Sequence, residues 1–288
     1  MSGIETKCLI VNVSVSMWAG QRLDKGATAR VTADAQASDD AARVNKHLVP
    51  KEALSTIVAA RSAIRTHVYD VTLPWWDNGD RLLPSAKFFD FSQKHRALVQ
   101  AFDAEVNQFV DGAYLEVVQR AAFRMGRMFN PADYPAPELV RQRFGVALSV
   151  MPVPVGHDFR LDMDADAMDT LRLEVASDVE KRVAGAIVAL KDRLVDTLQH
   201  FVTRLEGDKI WRNSTLTNLQ ELVETLPALN ITGDPEIEQA YQSLKTTLKG
   251  WDANTLRKRT NDKASVAADA RTALDDLLRA MGGEGGAS

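Results

Sequence analysis

A single cysteine, Cys8, is all the thiol chemistry in this chain of 288 residues. One cysteine excludes a disulfide framework and any cysteine-based zinc cluster. It opens an apolar strand-like segment with no flanking base, which points to a structural role. An excess of one charge sign is also missing. Lys and Arg number 35 against 39 Asp and Glu, a net charge of −4. That balance argues against a dedicated, strongly basic nucleic-acid binder, though a local basic patch remains open. Long apolar runs are absent too. No stretch reaches the ~18 residues of a membrane span. The start, MSGIETKCLIVNVSVSMW, is broken by Asn12, Ser14 and Ser16 and lacks a small-residue cleavage site after a basic start, so it makes a poor signal peptide. The expected location is the cytoplasm.

Catalytic signatures are equally scarce. There is no Gly-x-Ser-x-Gly, Walker loop or dinucleotide fingerprint. The five histidines, His47, His67, His95, His157 and His200, never pair at i+3 or i+4. His95 falls on an apolar seam, as a hydrogen-bonded core histidine does. His200 follows Asp196 by four residues, a spacing that favours an exposed ion pair. Asp158, Asp162, Asp164, Asp166 and Asp169 imitate the start of a calcium loop. However, Ala167 stands where the turn needs Gly, and Leu173 where a bidentate Glu is needed. Asp164 or Asp166 is better read as the N-cap of a helix. The sequence thus leans against an enzyme, and it implies no metal or cofactor. An enzymatic reading needs separated residues, such as His157 with Asp158 or His95, to converge.

What is present is periodicity. Leu9, Val11, Val13, Val15 and Met17 alternate with polar residues, the period of a half-buried strand. Val146, Leu148 and Val150, then Phe159, Leu161 and Met163, alternate in the same way around a proline-containing turn. They predict a hairpin over 146–163 that completes a small antiparallel sheet with the N-terminal strand. Residues 21–40 carry no stripe and read as a helix or a loop. A helix is expected from Pro50 to about Thr72. Leu73–Pro84 reads as a loop or tight turn, with Pro near both ends and Asn-Gly inside.

Phe88, Phe91, His95, Leu98, Phe102, Val106 and Phe109 recur with a mean spacing of 3.5, the seam period of a coiled coil. Gly112 is expected to end or bend that helix. From Met168 to Leu205 eleven apolar positions recur every 3.7 residues, the mark of a long straight helix, and Val188, Val195 and Val202 widen its face. Three further helices are expected at about 213–226, 235–249 and 253–280. The fold expectation is a predominantly helical α+β protein. Residues 1–206 form the main body, 207–281 a C-terminal helical subdomain and 282–288 a flexible tail.

Two surfaces suggest partners. Trp75 and Trp76 lie together in a loop beside Arg81. Loops seldom carry two tryptophans without burying them in the fold or in a partner. Structural anchoring is one reading of the pair; a protein-binding hot spot including Arg81 is the other. Arg257, Lys258, Arg259 and Lys263 could touch nucleic-acid phosphates. The same helix carries Asp262, Asp269, Asp275 and Asp276, so a mixed-charge solvated face competes with that reading.

Three turn motifs resemble the fixed points of a known family. They are Leu73-Pro74-Trp75 with Gly79-Asp80-Arg81-Leu82-Leu83-Pro84, then Asn130-Pro131-Ala132-Asp133-Tyr134-Pro135, then Leu226-Pro227-Ala228-Leu229-Asn230-Ile231-Thr232-Gly233-Asp234-Pro235. Together they resemble the uncharacterised phage and bacterial family known as domain-of-unknown-function family 3150, over about residues 8–250. That family has no established activity or catalytic residues. Its members tend to be encoded by phages and mobile elements, often near MoxR-type AAA+ ATPases. The resemblance therefore implies a phage or mobile-element accessory protein, and the 3.5-residue seam is expected to pair with another subunit or with such an ATPase.

Overall fold

The computed structural model describes residues 3–155, 164–207 and 211–284. In chain order its elements are α1 (Ile4–Lys7), β1 (Cys8–Ser16), β2 (Gln21–Leu23), α2 (Lys25–Asp34), β3 (Asn45–His47), α3 (Ser55–Val71), β4 (Leu73–Pro74), β5 (Arg81–Pro84) and α4 (Phe88–Asn107). They continue with α5 (Tyr114–Met125), α6 (Pro137–Arg141), β6 (Gly145–Pro152), α7 (Ala165–Glu206), α8 (Asn213–Leu229), α9 (Pro235–Leu248), α10 (Ala253–Lys258) and α11 (Thr260–Glu284). The protein is a predominantly helical α+β fold with one small antiparallel sheet, strand order β4-β5-β1-β6, and a separate two-stranded ladder.

The chain forms two compact units. The first comprises Met1–Asn12, Val68–Phe91 and Ser149–Ser288; the second comprises Val13–His67 and Ser92–Leu148. In the first, β1 pairs antiparallel with β5 from Cys8↔Pro84 to Val11↔Arg81, and β5 pairs with β4. The expected loop at 73–84 is therefore a tight hairpin. Its prolines stand at strand ends, where a missing N–H is tolerated, and Gly79 takes the positive φ its turn requires.

Helix α7 dominates this unit. It runs 42 residues without interruption through Val183, as the 3.7-residue period requires. Asp164 caps it by accepting from the Ala167 N–H at 2.9 Å. Its C-terminal half is buried at Val183, Ile187, Leu190, Leu194, Leu198, Phe201 and Leu205 against α8 and α11. Val195 and Val202 join this face, but Val188 is 51% exposed: the buried stripe turns away from it. Residues 213–229, 235–248 and 260–284 are helical, and they share one core with α7. Helix α11 continues through Gly282 to Glu284, where a tail was expected.

In the second unit, β2 and β3 pair from Gln21↔His47 to Leu23↔Asn45, and α2 follows behind an Asp24 cap. These short elements have no sequence stripe because the core needs only a few of their side chains. The Phe-rich helix does not stop at Gly112. It passes through a π-helical turn, Gln108–Ala113, into α5. The seam residues Phe102, Val106 and Phe109 lie in the core of this unit, so their 3.5-residue spacing serves packing inside the chain. Tyr114 is buried there, and its hydroxyl donates to the Pro135 carbonyl at 2.7 Å. The second strand of the expected hairpin (Phe159, Leu161, Met163) and His157, Asp158 and Asp162 lie outside the described residues.

Among the described residues of the first unit, one charged side chain is buried. Lys191, 3% exposed, faces Asp234 at 3.0 Å and Glu236 at 2.6 Å. Burial pulls its ammonium pKa down, but its hydrogen bonds to the Glu236 and Asp234 carboxylates, with their charge, outweigh this and leave it raised. Burial pushes the Asp234 carboxyl up, and Lys191 with the Ile237 and Glu236 N–H groups carry it below its ordinary value. The lysine's contribution to stability is complete below its ordinary 10.5 and is lost as pH rises through the raised value. The aspartate's is complete above 3.8 and is lost as pH falls through the lowered value. Lys191→Met leaves two carboxylates without their cation and is expected to cost ~3 kcal/mol, the lower end for breaking a buried pair because Glu236 is partly exposed. Urea unfolding across pH checks this. The gap to wild type should be widest between those two values and narrow outside them.

Candidate functional site

The tryptophan pair sits at the end of the β4–β5 hairpin. The Asp80 carbonyl accepts from the N–H groups of Trp75 at 3.0 Å and Trp76 at 3.3 Å, closing the turn. The Asp80 carboxylate accepts from Asn12 Nδ2 at 2.8 Å and Asn78 Nδ2 at 3.0 Å, tying the turn to β1. The two rings then diverge. Trp75 is buried in the core of the first unit at 7% exposure, while Trp76 is 53% exposed. Structural anchoring thus holds for Trp75, and Trp76 is left accessible.

Arg182 of α7 stacks on Trp76, its guanidinium carbon 3.2 Å from the ring centroid. It also donates to the Trp75 carbonyl at 3.4 Å and to the Asp178 carboxylate at 2.6 Å. Such stacking on an aromatic face suits the planar, weakly hydrated guanidinium. Between the hairpin and α7 lies a groove of about 830 Å³ lined by Trp75, Trp76, Pro154 and the N-terminal half of α7. There the apolar stripe continues as Leu171, Val175 and Val179, but only half-buried, and Leu173 is 73% exposed. Among the described residues, this face of the helix is only half-buried.

Arg81 is not among the groove's lining residues. Its Nε donates to Thr72 Oγ1 at 2.6 Å and its Nη2 to the Thr72 carbonyl at 3.0 Å. Arg193 of α7 donates to the Tyr69 carbonyl at 3.0 Å, and both guanidinium groups lie about 5 Å from the Tyr69 ring. Two cations thus cover the carbonyls at the C-terminus of α3, where the helix dipole is negative. Burial holds both arginine pKa values below their usual level.

The basic stretch is engaged in the same way. Arg257 donates to the Trp211 carbonyl at 2.7 Å and packs over the Trp211 ring. Lys263 reaches the Gly207 carbonyl at 3.5 Å. Arg259 faces Asp262 at 3.5 Å, and Lys258 is exposed. Nearby, Arg271 grips Glu206 with two donors. Much of this positive charge is held at the C-terminal end of α7.

Sequence reading missed two buried cations. Lys191 lies three and four residues from Leu194 and Ile187, on the apolar side of its helix, and that position was the available signal. In the second unit Lys46 is buried against Asp133, which also pairs with Arg22 at 3.0 Å. The second and third motifs of the family resemblance are therefore turns that present a carboxylate, Asp133 or Asp234, to a buried lysine.

His95 is buried, and burial holds its imidazole below the usual range, favouring the neutral form. His200 is exposed. Among the described residues, no three His, Cys, Asp or Glu side chains are grouped so as to hold a metal ion. No described helix is long and apolar enough to cross a membrane. No protein-family model, curated protein or solved structure matches the chain.

Cys8 is fully buried, and burial pushes its thiol up to about 11. Almost no thiolate exists at neutral pH, so a thiol reagent should label the folded protein only at its unfolding rate. Rapid labelling of native protein would contradict this placement.

Proposed function

We propose that this chain is a non-enzymatic helical interaction module, docking an amphipathic helix in the groove between Trp76 and the N-terminal half of α7. The observation that carries the reading is the pairing of an exposed, Arg182-stacked tryptophan with a helix stripe left half-covered over several turns. Amphipathic helices bind such grooves through apolar anchors at i, i+3 or i+4, and i+7. Tryptophan and arginine are the residues most enriched at binding hot spots. The rim supplies Glu174, Asp178, Lys181 and Arg182, which can select a partner by charge.

The family resemblance supports a role as a phage or mobile-element accessory protein in the cytoplasm, of the host if phage-encoded, with an AAA+ ATPase as a candidate partner. A nucleic-acid-binding role would draw on Arg257, Lys258, Arg259 and Lys263. Protein docking is favoured because three of these four already contact groups of their own chain.

The test is affinity capture with wild-type protein and with the Trp76→Ala/Leu173→Asp variant, followed by titration of the purified candidate. A partner that binds wild type and loses roughly tenfold or more affinity for the variant, with helical content unchanged, supports the reading. Equal binding by both proteins contradicts it.

A further inference from the structure

We infer that the helix occupying this groove is the same stretch of α7 from a second copy, running antiparallel. The inference rests on the groove being a helix-docking site and names its occupant.

The groove flank of α7 carries Leu171, Glu174, Asp178, Lys181 and, one step further, Gly185. Their spacings are 3, 4, 3 and 4, the period that keeps one helix in register along another. Its charge order is polar: acid at 174, base at 181. Glu174 and Lys181 are both exposed, and among the described residues neither forms an ion pair. A second copy placed antiparallel about a two-fold axis near residues 177–178 faces its own charge order in reverse. Glu174 of each copy then meets Lys181 of the other, twice per dimer, as an isologous interface demands.

Steric fit follows the same axis. Leu171 is carried to Ala184 and Gly185 of the second copy. A Cβ at Gly185 would have nothing within 4 Å, so open space lies beside it for a leucine side chain. Asp178 lies on the axis, where it would face itself. Its carboxylate is held by Arg182 at 2.6 and 2.9 Å, which offsets the like-charge contact. A parallel copy would instead set Glu174 against Glu174 and Lys181 against Lys181.

Charge reversal with mixing tests this. Wild type should dimerise in analytical ultracentrifugation. Glu174→Lys and Lys181→Glu should each weaken self-association by roughly tenfold or more, since each makes two like-charge contacts. Mixing the two variants should restore dimers, as should combining both substitutions in one chain, because every pair is again opposite. Helical content measured on each variant separates lost pairing from lost folding, and rescue on mixing does so directly. A strict monomer at the highest soluble concentration, or single variants that dimerise like wild type, would overturn the inference. A monomer that still shows Trp76-dependent partner binding overturns the second copy and keeps the groove. Loss of both overturns the docking reading as well.

Discussion

An ammonium group taken out of water must find charge and hydrogen-bond partners inside the protein, and Lys191 finds them at the N-terminus of α9. Asp234 serves twice there. One of its oxygens caps the helix by accepting from Glu236 and Ile237, and the other faces the lysine. Asn230 holds the approaching turn through both its side-chain oxygen and nitrogen. Leucines can slide along one another at small cost, but a buried charge pair tolerates only one register. The contact therefore fixes where α7 sits along the helices after it. The second unit uses the same device, with Lys46 on Asp133, to seat the β2–β3 ladder against the turn at 130–135.

Once its C-terminal half is fixed, α7 becomes a helix with unlike halves. Beyond Val183 its apolar stripe is saturated by its own unit, and its end is covered by Arg271 and Lys263. From Leu171 to Val179 the same stripe is only half-buried. A single unbroken helix transmits rigidity from one half to the other, so the open half is presented in a set geometry. The hairpin adds Trp76, held by Arg182, and its turn is secured through Asp80 and Asn12. Preorganisation of this kind lowers the ordering cost of docking. That combination, more than apolar exposure as such, singles out the groove.

Much of this fold was legible in the sequence because it rests on local periodicity. The alternation over residues 9–17 marked β1, the 3.7-residue period marked α7, and the acidic cluster marked its cap at Asp164 or Asp166, of which Asp164 serves. The Trp75–Trp76 pair drew attention to the hairpin that lines the groove. The rest depends on contacts between distant residues. Arg81 looked like a partner contact because nothing local says that the end of α3 lies beside it. Lys191 looked like any helix lysine because its partners stand 43 and 45 residues away. The strands β4 and β5 were hidden by their prolines, which read as loop until a neighbouring strand supplies the pairing. Val188 failed in the opposite direction: it carries the right residue type, but on a face the core does not reach.

Hydrogen exchange along α7 tests the contrast between its halves most directly. Amides from about Leu190 to Leu205 should exchange only through global unfolding, since they lie on the buried half. Amides from about Leu171 to Arg182 should exchange much faster in dilute protein and slow markedly as a docked helix covers them. Uniform protection along all of α7 in the dilute monomer, unchanged by concentration or partner, would contradict the account.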